Sequence, residues 1–397
     1  MNESNSSLSQ AQGYLSDTGL DGWLLYDYQG SNPILWRLLG ENVPNVTRPL
    51  WLYVPAEGPV ALLVHEVDVG RFPYGLAEIH SFAGRDSMID GLRDRIGAST
   101  RLAMEYSPLG TLPRVGRVDA GTIELVRSLG IDVISSGDAI QYATERWMPH
   151  QLESHRYAAS KLHEIVHGTV AFVRENVRWK LTEHDVAEHI RGQYAMLGLE
   201  TRDGPVVAFD AHSSDPHYEP APGDSSVIRR RGWLLIDLWA RKQTSSENRD
   251  SVYADITWNI AVGDASTERE TKVFELVRDA RDAAVEFLSQ AVQMGRRPRG
   301  WEVDQVARTV VNKAGYGKFF VHRLGHSLGR EVHSNGVNLD NWETHDTRSV
   351  IDGIGITIEP GVYLPDFGVR SEINVFMGPD GPEITSPPQK EVLTTGG

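Results

Sequence analysis

Four carboxylates and one imidazole stand beside apolar or glycine-punctuated sequence: Asp237 in LLIDLWA, Asp255 in VYADITW, His326 in HRLGHSLG, Glu359 in TIEPGVY and Glu372 in GVRSEINV. Burying an ionised carboxylate among Leu, Ile and Val is unfavourable unless a cation or strong donors compensate. One such acid alone is most simply read as lying on the solvated face of a strand, and a lone histidine as a hydrogen-bonded structural group. The set points elsewhere. Carboxylate and imidazole ligands without sulfur suit Mn, Co or Zn held in pairs and bridged by carboxylates. The chain has no cysteine, so disulfides and thiolate zinc sites are excluded.

These residues need a scaffold, and 397 residues imply two domains. In the first 150 residues, strand-like runs at GWLLYDY, PLWLYVPA, PVALLVH and RLAMEY alternate with helical stretches. In GTIELVRSLG, for example, Ile123, Leu125, Val126 and Leu129 fall near one helical face before Gly130 ends it. This part reads as an α/β domain over 1–150. The proline-containing WMPHQLES marks a boundary, and 151–397 form the second domain. There a long helix carries Leu162, Ile165, Val166, Val170 and Val173, and a second helix opens at Thr182 with Asp185 completing a capping box. The strand-like runs PVVAF, WLLIDLWA and VYADITWNIAV follow. Two further helices, VFELVRDARDAAVEFLSQAV and WEVDQVARTVVNKAG, precede the strand-like ITIEPGVYL and RSEINVFM. Helices followed by strands therefore occur twice, as expected of two related halves around one sheet. The polar run RKQTSSENRDS at 241–251 and the terminal TTGG read as a solvated loop and a frayed tail.

Composition removes several function classes. Hydrophobic residues make up 40% and charged residues 23%, the mix of a folded globular protein. A formal charge of -15 argues against a broad basic surface for nucleic acid or anionic lipid. The N-terminus MNESNSSLSQ has no basic region followed by an apolar core, and no stretch approaches the roughly 20 apolar residues that span a bilayer. The expected setting is cytoplasmic.

In this order and these motifs, the five residues resemble the pita-bread metallopeptidases, the family of methionine aminopeptidase, aminopeptidase P, prolidase and the metal-free creatinase. The resemblance covers the C-terminal half, through an aspartate ending a strand, a D-I-T motif, H-x-x-G-H-x-x-G, T-x-E-P-G and a glutamate after G-x-R. It implies an α+β catalytic domain with pseudo-two-fold αα-ββ halves behind an α/β N-terminal domain. It also implies two divalent cations per subunit, Mn first, with Co or Zn as alternatives. Asp237 would chelate one ion, Asp255 and Glu372 would bridge both, and His326 with Glu359 would complete the other. By the same resemblance His217 in DPHYEP, His322 in HRLGH and His333 in GREVHSNG lie near the substrate, with His322 lining the pocket. Arg370 would pair with a carboxylate, and Tyr363 would pack or, as the second reading, donate a hydrogen bond. Two departures stand out: extra residues between Asp237 and Asp255, and Ser371 with Asn374 in RSEIN.

The implied chemistry is hydrolysis of a bond before proline, by a hydroxide made where two cations about 3.5 to 4 Å apart depress the pKa of a shared water. Glu359 would move the proton, while His217 and His333 stabilise the tetrahedral intermediate. Methionine aminopeptidases generally lack an N-terminal domain, and creatinase lacks the ligand set. That leaves prolidase and aminopeptidase P, and the shortness of the N-terminal domain favours an Xaa-Pro dipeptidase, a prolidase, with aminopeptidase P as the alternative. A hydrolase of non-peptide amides or esters and a non-catalytic peptide-binding module remain further alternatives. The substrate class is a small peptide, and the resemblance implies a homodimer.

Overall fold

The computed structural model describes residues 3–40, 44–72, 75, 77–245 and 250–396. It divides into two compact units, Met1–Arg146 and Trp147–Gly397. The division falls at the start of the expected boundary segment WMPHQLES, slightly ahead of 150/151. Pro149 opens the helix that follows, at the first position, where a missing N–H removes no hydrogen bond.

The first unit contains α1 (Glu3–Thr18), β1 (Gly22–Tyr28), α2 (Pro33–Leu38), β2 (Pro49–Pro55), β3 (Ala61–His65), β4 (Glu78–Phe82), α3 (Arg85–Ile96), β5 (Arg101–Met104), α4 (Ala120–Ser128), β6 (Asp132–Ser135) and α5 (Gly137–Ile140). Its strands form one mixed sheet in the order β4-β3-β2-β1-β5-β6. Apolar clusters lie around it, one holding Trp23, Leu25 and Leu52, another Leu24, Trp51 and Leu102. Consecutive residues of β1 thus enter different clusters, as side chains alternating across a sheet must.

Asp27 and Glu105 are wholly buried acids of this unit. Glu105, just past β5, accepts hydrogen bonds from Trp23 Nε1 at 2.5 Å, Asn32 Nδ2 at 2.9 Å and Ser136 Oγ at 3.3 Å. Burial pushes its carboxyl up to about 7 although these donors pull it down. A carboxyl raised on folding keeps its proton between about pH 4.5 and 7 in the native state and loses it in the unfolded chain. Stability is therefore full below this window and falls as pH rises through it, by on the order of 3 kcal/mol at 1.36 kcal/mol per unit. Hydrogen exchange of β1 and β5 in the full chain, corrected for intrinsic rates, should show weaker protection at pH 8 than at pH 5. Protection that is equal or stronger at pH 8 would refute this.

The second unit contains α6 (Pro149–Asn176), α7 (Glu183–Met196), β7 (Leu199–Glu200), β8 (Val206–Phe209), β9 (Gly232–Lys242), β10 (Tyr253–Val262), α8 (Glu268–Gln293), α9 (Gly300–Lys313), β11 (Ser327–Leu328), β12 (Gly355–Ile358), β13 (Gly361–Tyr363), β14 (Gly368–Arg370), β15 (Ile373–Gly378), β16 (Gly381–Ile384) and β17 (Leu393–Thr394). One sheet runs β17-β10-β9-β7 with β8 also on β9, a second runs β11-β12-β15-β16, and β13 pairs with β14. Two helices followed by strands occur twice, as element order led us to expect, and this is the α+β pattern of two halves that the family resemblance implied.

Antiparallel pairing of β9 with β10 sets Asp237 opposite Thr257 and Trp239 opposite Asp255. With a side-chain period of two, these four residues share one face of the sheet. The opposite face presents Ile236, Leu238, Ile256 and Trp258 to the core that includes Leu162, Ile165 and Val166 of α6. The apolar residues that flank each aspartate in sequence thus bury the sheet from behind, while the acids point away from that core.

The C-terminal tail departs from expectation. Rather than fraying, Leu393–Thr394 pairs in parallel with β10, and Thr395 and Gly396 donate to the carbonyls of Ala261 and Gly263. Its open backbone groups complete the exposed edge of β10. Of the extra segment between the two aspartates, residues 246–249 lie outside the described part. Among the described residues no helix is long and apolar enough to cross a membrane.

Candidate metal centre

The second sheet delivers the other acids, and not from within strands. Ile358 pairs with Ile373, the last residue of β12 against the first of β15. Glu359 and Glu372 sit just beyond that pair, side by side, where the chain leaves the ladder at Pro360 and Ser371. His326 enters from the turn before β11. Its N–H donates to Thr357 Oγ1 at 3.0 Å and its carbonyl accepts from Thr357 N at 2.8 Å. Gly325 is required here because a Cβ would overlap the Thr357 carbonyl oxygen.

The structure brings all five predicted ligands to one cavity of about 660 Å³. Atoms of Asp255, His326 and Glu372 lie within 4.8 Å of one another. His326 Nε2 is 3.4 Å from Glu359 Oε1 and 3.7 Å from Asp255 Oδ2. Its Nδ1 faces the Ser327 carbonyl at 3.2 Å, and a proton there leaves the Nε2 lone pair toward the acids. The Thr257 hydroxyl lies 3.0 Å from Asp237 Oδ1 and 2.8 Å from Glu372 Oε2, joining the remaining acids to the cluster.

These groups fit divalent cations on their own chemistry. Asp255 Oδ1 and Glu372 Oε1 are buried with no hydrogen-bond partner. Burial first, and then the neighbouring carboxylates, raise both carboxyls well above their ordinary range. Burial likewise pushes Glu359 up to about 7, with Arg370 pulling it down. A cation in contact with these oxygens would satisfy the orphaned atoms and remove the mutual repulsion.

Arg370 spends its whole guanidinium on the cluster. It reaches Asp237 Oδ2 at 2.5 Å, the Thr257 hydroxyl at 3.0 Å and the Tyr363 hydroxyl at 3.0 Å. Tyr363 is buried and continues this chain by donating to His322 Nε2 at 2.8 Å, so it both packs and donates. His322 Nδ1 donates to the Arg323 carbonyl at 2.6 Å, and burial followed by the Arg370 charge lowers its pKa to about 3. His322 is therefore a neutral link that lines the cavity. His217 and His333 also line it, with the His333 ring centroid 4.3 Å from that of His326.

Several supports carry no sequence signal of their own. Buried Glu183 accepts from Phe209 N, Ser226 N and Tyr218 Oη at 2.6 to 2.7 Å, with His212 Nδ1 at 3.0 Å, and so pins the loop that bears His217. Arg308 of α9 donates to the carbonyls of Phe320 and His322, and Asp304 accepts from Leu324 N, which fixes the HRLGH turn. Of the two departures, Asn374 clasps the Asp255 backbone through Oδ1 and Nδ2, and Ser371 Oγ accepts from Arg281 at 2.7 Å.

A mixed α/β scaffold bears a buried carboxylate–imidazole cluster in a cavity, a site that could hold divalent cations. The sequence model of metallopeptidase family M24 matches residues 153–379, and the chain belongs to that family. Among its relatives is an uncharacterized peptidase from Staphylococcus haemolyticus, 28% identical over 236 residues, covering 59% of this chain and 60% of the relative. Another, from Schizosaccharomyces pombe, is 32% identical over 210 residues, covering 51% of this chain and 43% of the relative. The matches thus span less than two thirds of these relatives. Three solved structures share the fold. A dipeptidase from Mycobacterium ulcerans superposes with a TM-score of 0.71 at 19% identity, covering 100% of both chains. A prolidase from Thermococcus sibiricus gives 0.64 at 21%, covering 99% of each. An X-Pro aminopeptidase from Thermotoga maritima gives 0.63 at 21%, covering 98% of this chain and 99% of that one.

Proposed function

We propose that this metallopeptidase is an Xaa-Pro dipeptidase using two divalent cations, Mn first and Co or Zn as alternatives, held by Asp237, Asp255, His326, Glu359 and Glu372. The observation that carries the reading is the pair of orphaned, buried oxygens on Asp255 and Glu372 at a cavity wide enough for a small peptide. When bound, the cations lower the pKa of water and polarise the substrate carbonyl. Asp255 and Glu372 would serve both ions, Asp237 one, and His326 with Glu359 the other. Glu359 accepts the proton of the attacking water on its carboxylate and passes it to the leaving proline nitrogen, which has no proton of its own. His217 and His333 donate to the substrate oxygen as negative charge develops on it. Arg370 holds Asp237 in place through their ion pair. The structures that share the fold include a dipeptidase, a prolidase and an X-Pro aminopeptidase, so the substrate test below separates the dipeptidase from the aminopeptidase reading. A cytoplasmic homodimer belongs to the same proposal, and sedimentation of the full chain tests the dimer.

Mn-loaded protein should be offered Xaa-Pro dipeptides, Xaa-Pro tripeptides and Xaa-Ala controls. Turnover confined to Xaa-Pro dipeptides is the expected result. Turnover of tripeptides moves the assignment to an aminopeptidase P, and inertness toward every peptide returns it to a hydrolase of non-peptide amides or esters.

A further inference from the structure

Helix α6 carries a second pattern of metal-ligand type, HEIVH at 163–167. Histidines four apart on a helix share one face, and with a glutamate after the first they form the arrangement in which zinc peptidases hold their ion. Such a run also arises by chance, so the side chains decide. The Nε2 atoms of His163 and His167 lie 3.2 Å apart, one donating to the other. Metal bonds of about 2.0–2.1 Å, set between a right angle and a tetrahedral one, place two imidazole nitrogens about 2.8–3.4 Å apart. The pair thus has the bite of a chelate, and a cation would replace the proton that the two rings share.

The surroundings hold that bite. Both rings make edge contacts with the indole of Trp258, at centroid distances of 5.3 and 5.6 Å, and Trp258 is buried in β10. Burial, and then the His167 charge, lower the pKa of His163, which favours the neutral ring that a metal needs. His167 is exposed, so an ion can arrive from solvent and complete its shell with water. Trp258 lies on the face of the sheet opposite Asp237 and Asp255, which sets the pair apart from the acid cluster. Glu164 is drawn to Lys161, its Oε2 2.7 Å from Nζ, so no base stands beside the pair.

We propose that His163 and His167 form a cation-binding site separate from the acid cluster, taking one Cu²⁺, Ni²⁺ or Zn²⁺ ion through their two Nε2 atoms. With Glu164 turned away, the site binds an ion without being a second hydrolytic centre. Two imidazoles without a carboxylate disfavour Mn²⁺ and Mg²⁺, so the two sites sort different ions. This goes beyond the peptidase reading and does not depend on it.

The full chain, loaded with Mn²⁺, is titrated with Cu²⁺, the strongest binder of the divalent series, while bound Cu is counted by elemental analysis and tryptophan emission is followed. Unaltered protein should take up one more Cu per chain than His163→Gln or His167→Gln. It should also lose emission that each variant keeps, because the ion sits beside Trp258. Either substitution should weaken this Cu by at least about tenfold, since even altering the support of a metal ligand costs that much. Mn content before Cu is added should be the same in all three proteins. The comparison among them holds whether or not the acid cluster takes up Mn. Equal Cu uptake and equal quenching in the unaltered protein and either variant would overturn the proposal, because a chelate needs both rings. Pulsed EPR of Cu on the unaltered protein needs no variant: a species with two bound imidazole nitrogens upholds the chelate, and the absence of any such species overturns it.

Discussion

Asp255→Asn should lower kcat/KM by about three powers of ten or more while making the cation-free protein more stable. The two effects have one cause. Asp255 is buried against Asp237, Glu359 and Glu372, with one oxygen unpartnered, an arrangement that is unfavourable without positive charge. Asparagine keeps the shape and removes the charge. The backbone clasp by Asn374 uses only the Asp255 N–H and carbonyl, so the strand stays in register. Removing like-charge repulsion should raise the stability of chelated protein by about 2 kcal/mol at neutral pH, within the range seen when buried charges are replaced. The loss of activity follows from the several kcal/mol that a bound cation contributes, at tenfold per 1.36 kcal/mol. Thermal unfolding with and without chelator, with elemental analysis, checks both halves. Unaltered protein should gain stability from Mn by mass action, and the variant should gain much less. A variant that is active, or that melts below the chelated unaltered protein, would show that Asp255 is not a ligand.

How far the sequence reveals this site depends on which forces act locally. Asp237 and Asp255 are legible because each interrupts an apolar run whose alternate residues bury the sheet against α6, so the period-two pattern both places the strand and exposes the anomaly. Glu359 and Glu372 are legible as residues but not as positions. They occupy breaks between strands, and only the long-range pairing of Ile358 with Ile373 brings them together. Glu183 acts through partners distant in sequence, and although Asp304 and Arg308 form a local i,i+4 pair, their hold on the HRLGH turn has no local signal. The tail misleads for the opposite reason. TTGG has the composition of a frayed end, yet an open strand edge captures its backbone whatever its side chains.

Glu359→Gln separates proton transfer from cation binding. The amide keeps the volume and one carbonyl oxygen, which can still face His326 Nε2 and accept from the Thr357 hydroxyl that now lies 3.1 Å from Oε1. It cannot take a proton. If Glu359 relays the proton of the attacking water, kcat should fall by about 10²- to 10⁴-fold while much of the cation content remains. The pH profile supplies the sign. A base must be deprotonated to work, so kcat of the unaltered enzyme should rise with pH along an acid limb lying below about pH 7, the value to which burial lifts this carboxyl before any cation pulls it down. In the variant that limb should vanish, and the remaining slow turnover should be flat across the same range. Asp255→Asn, in contrast, should lose activity together with cation. Elemental analysis beside kcat therefore distinguishes the two variants. A Glu359→Gln enzyme within tenfold of the unaltered rate would move the proton relay to another residue, and His333, whose ring lies against that of His326, would be the next group to replace.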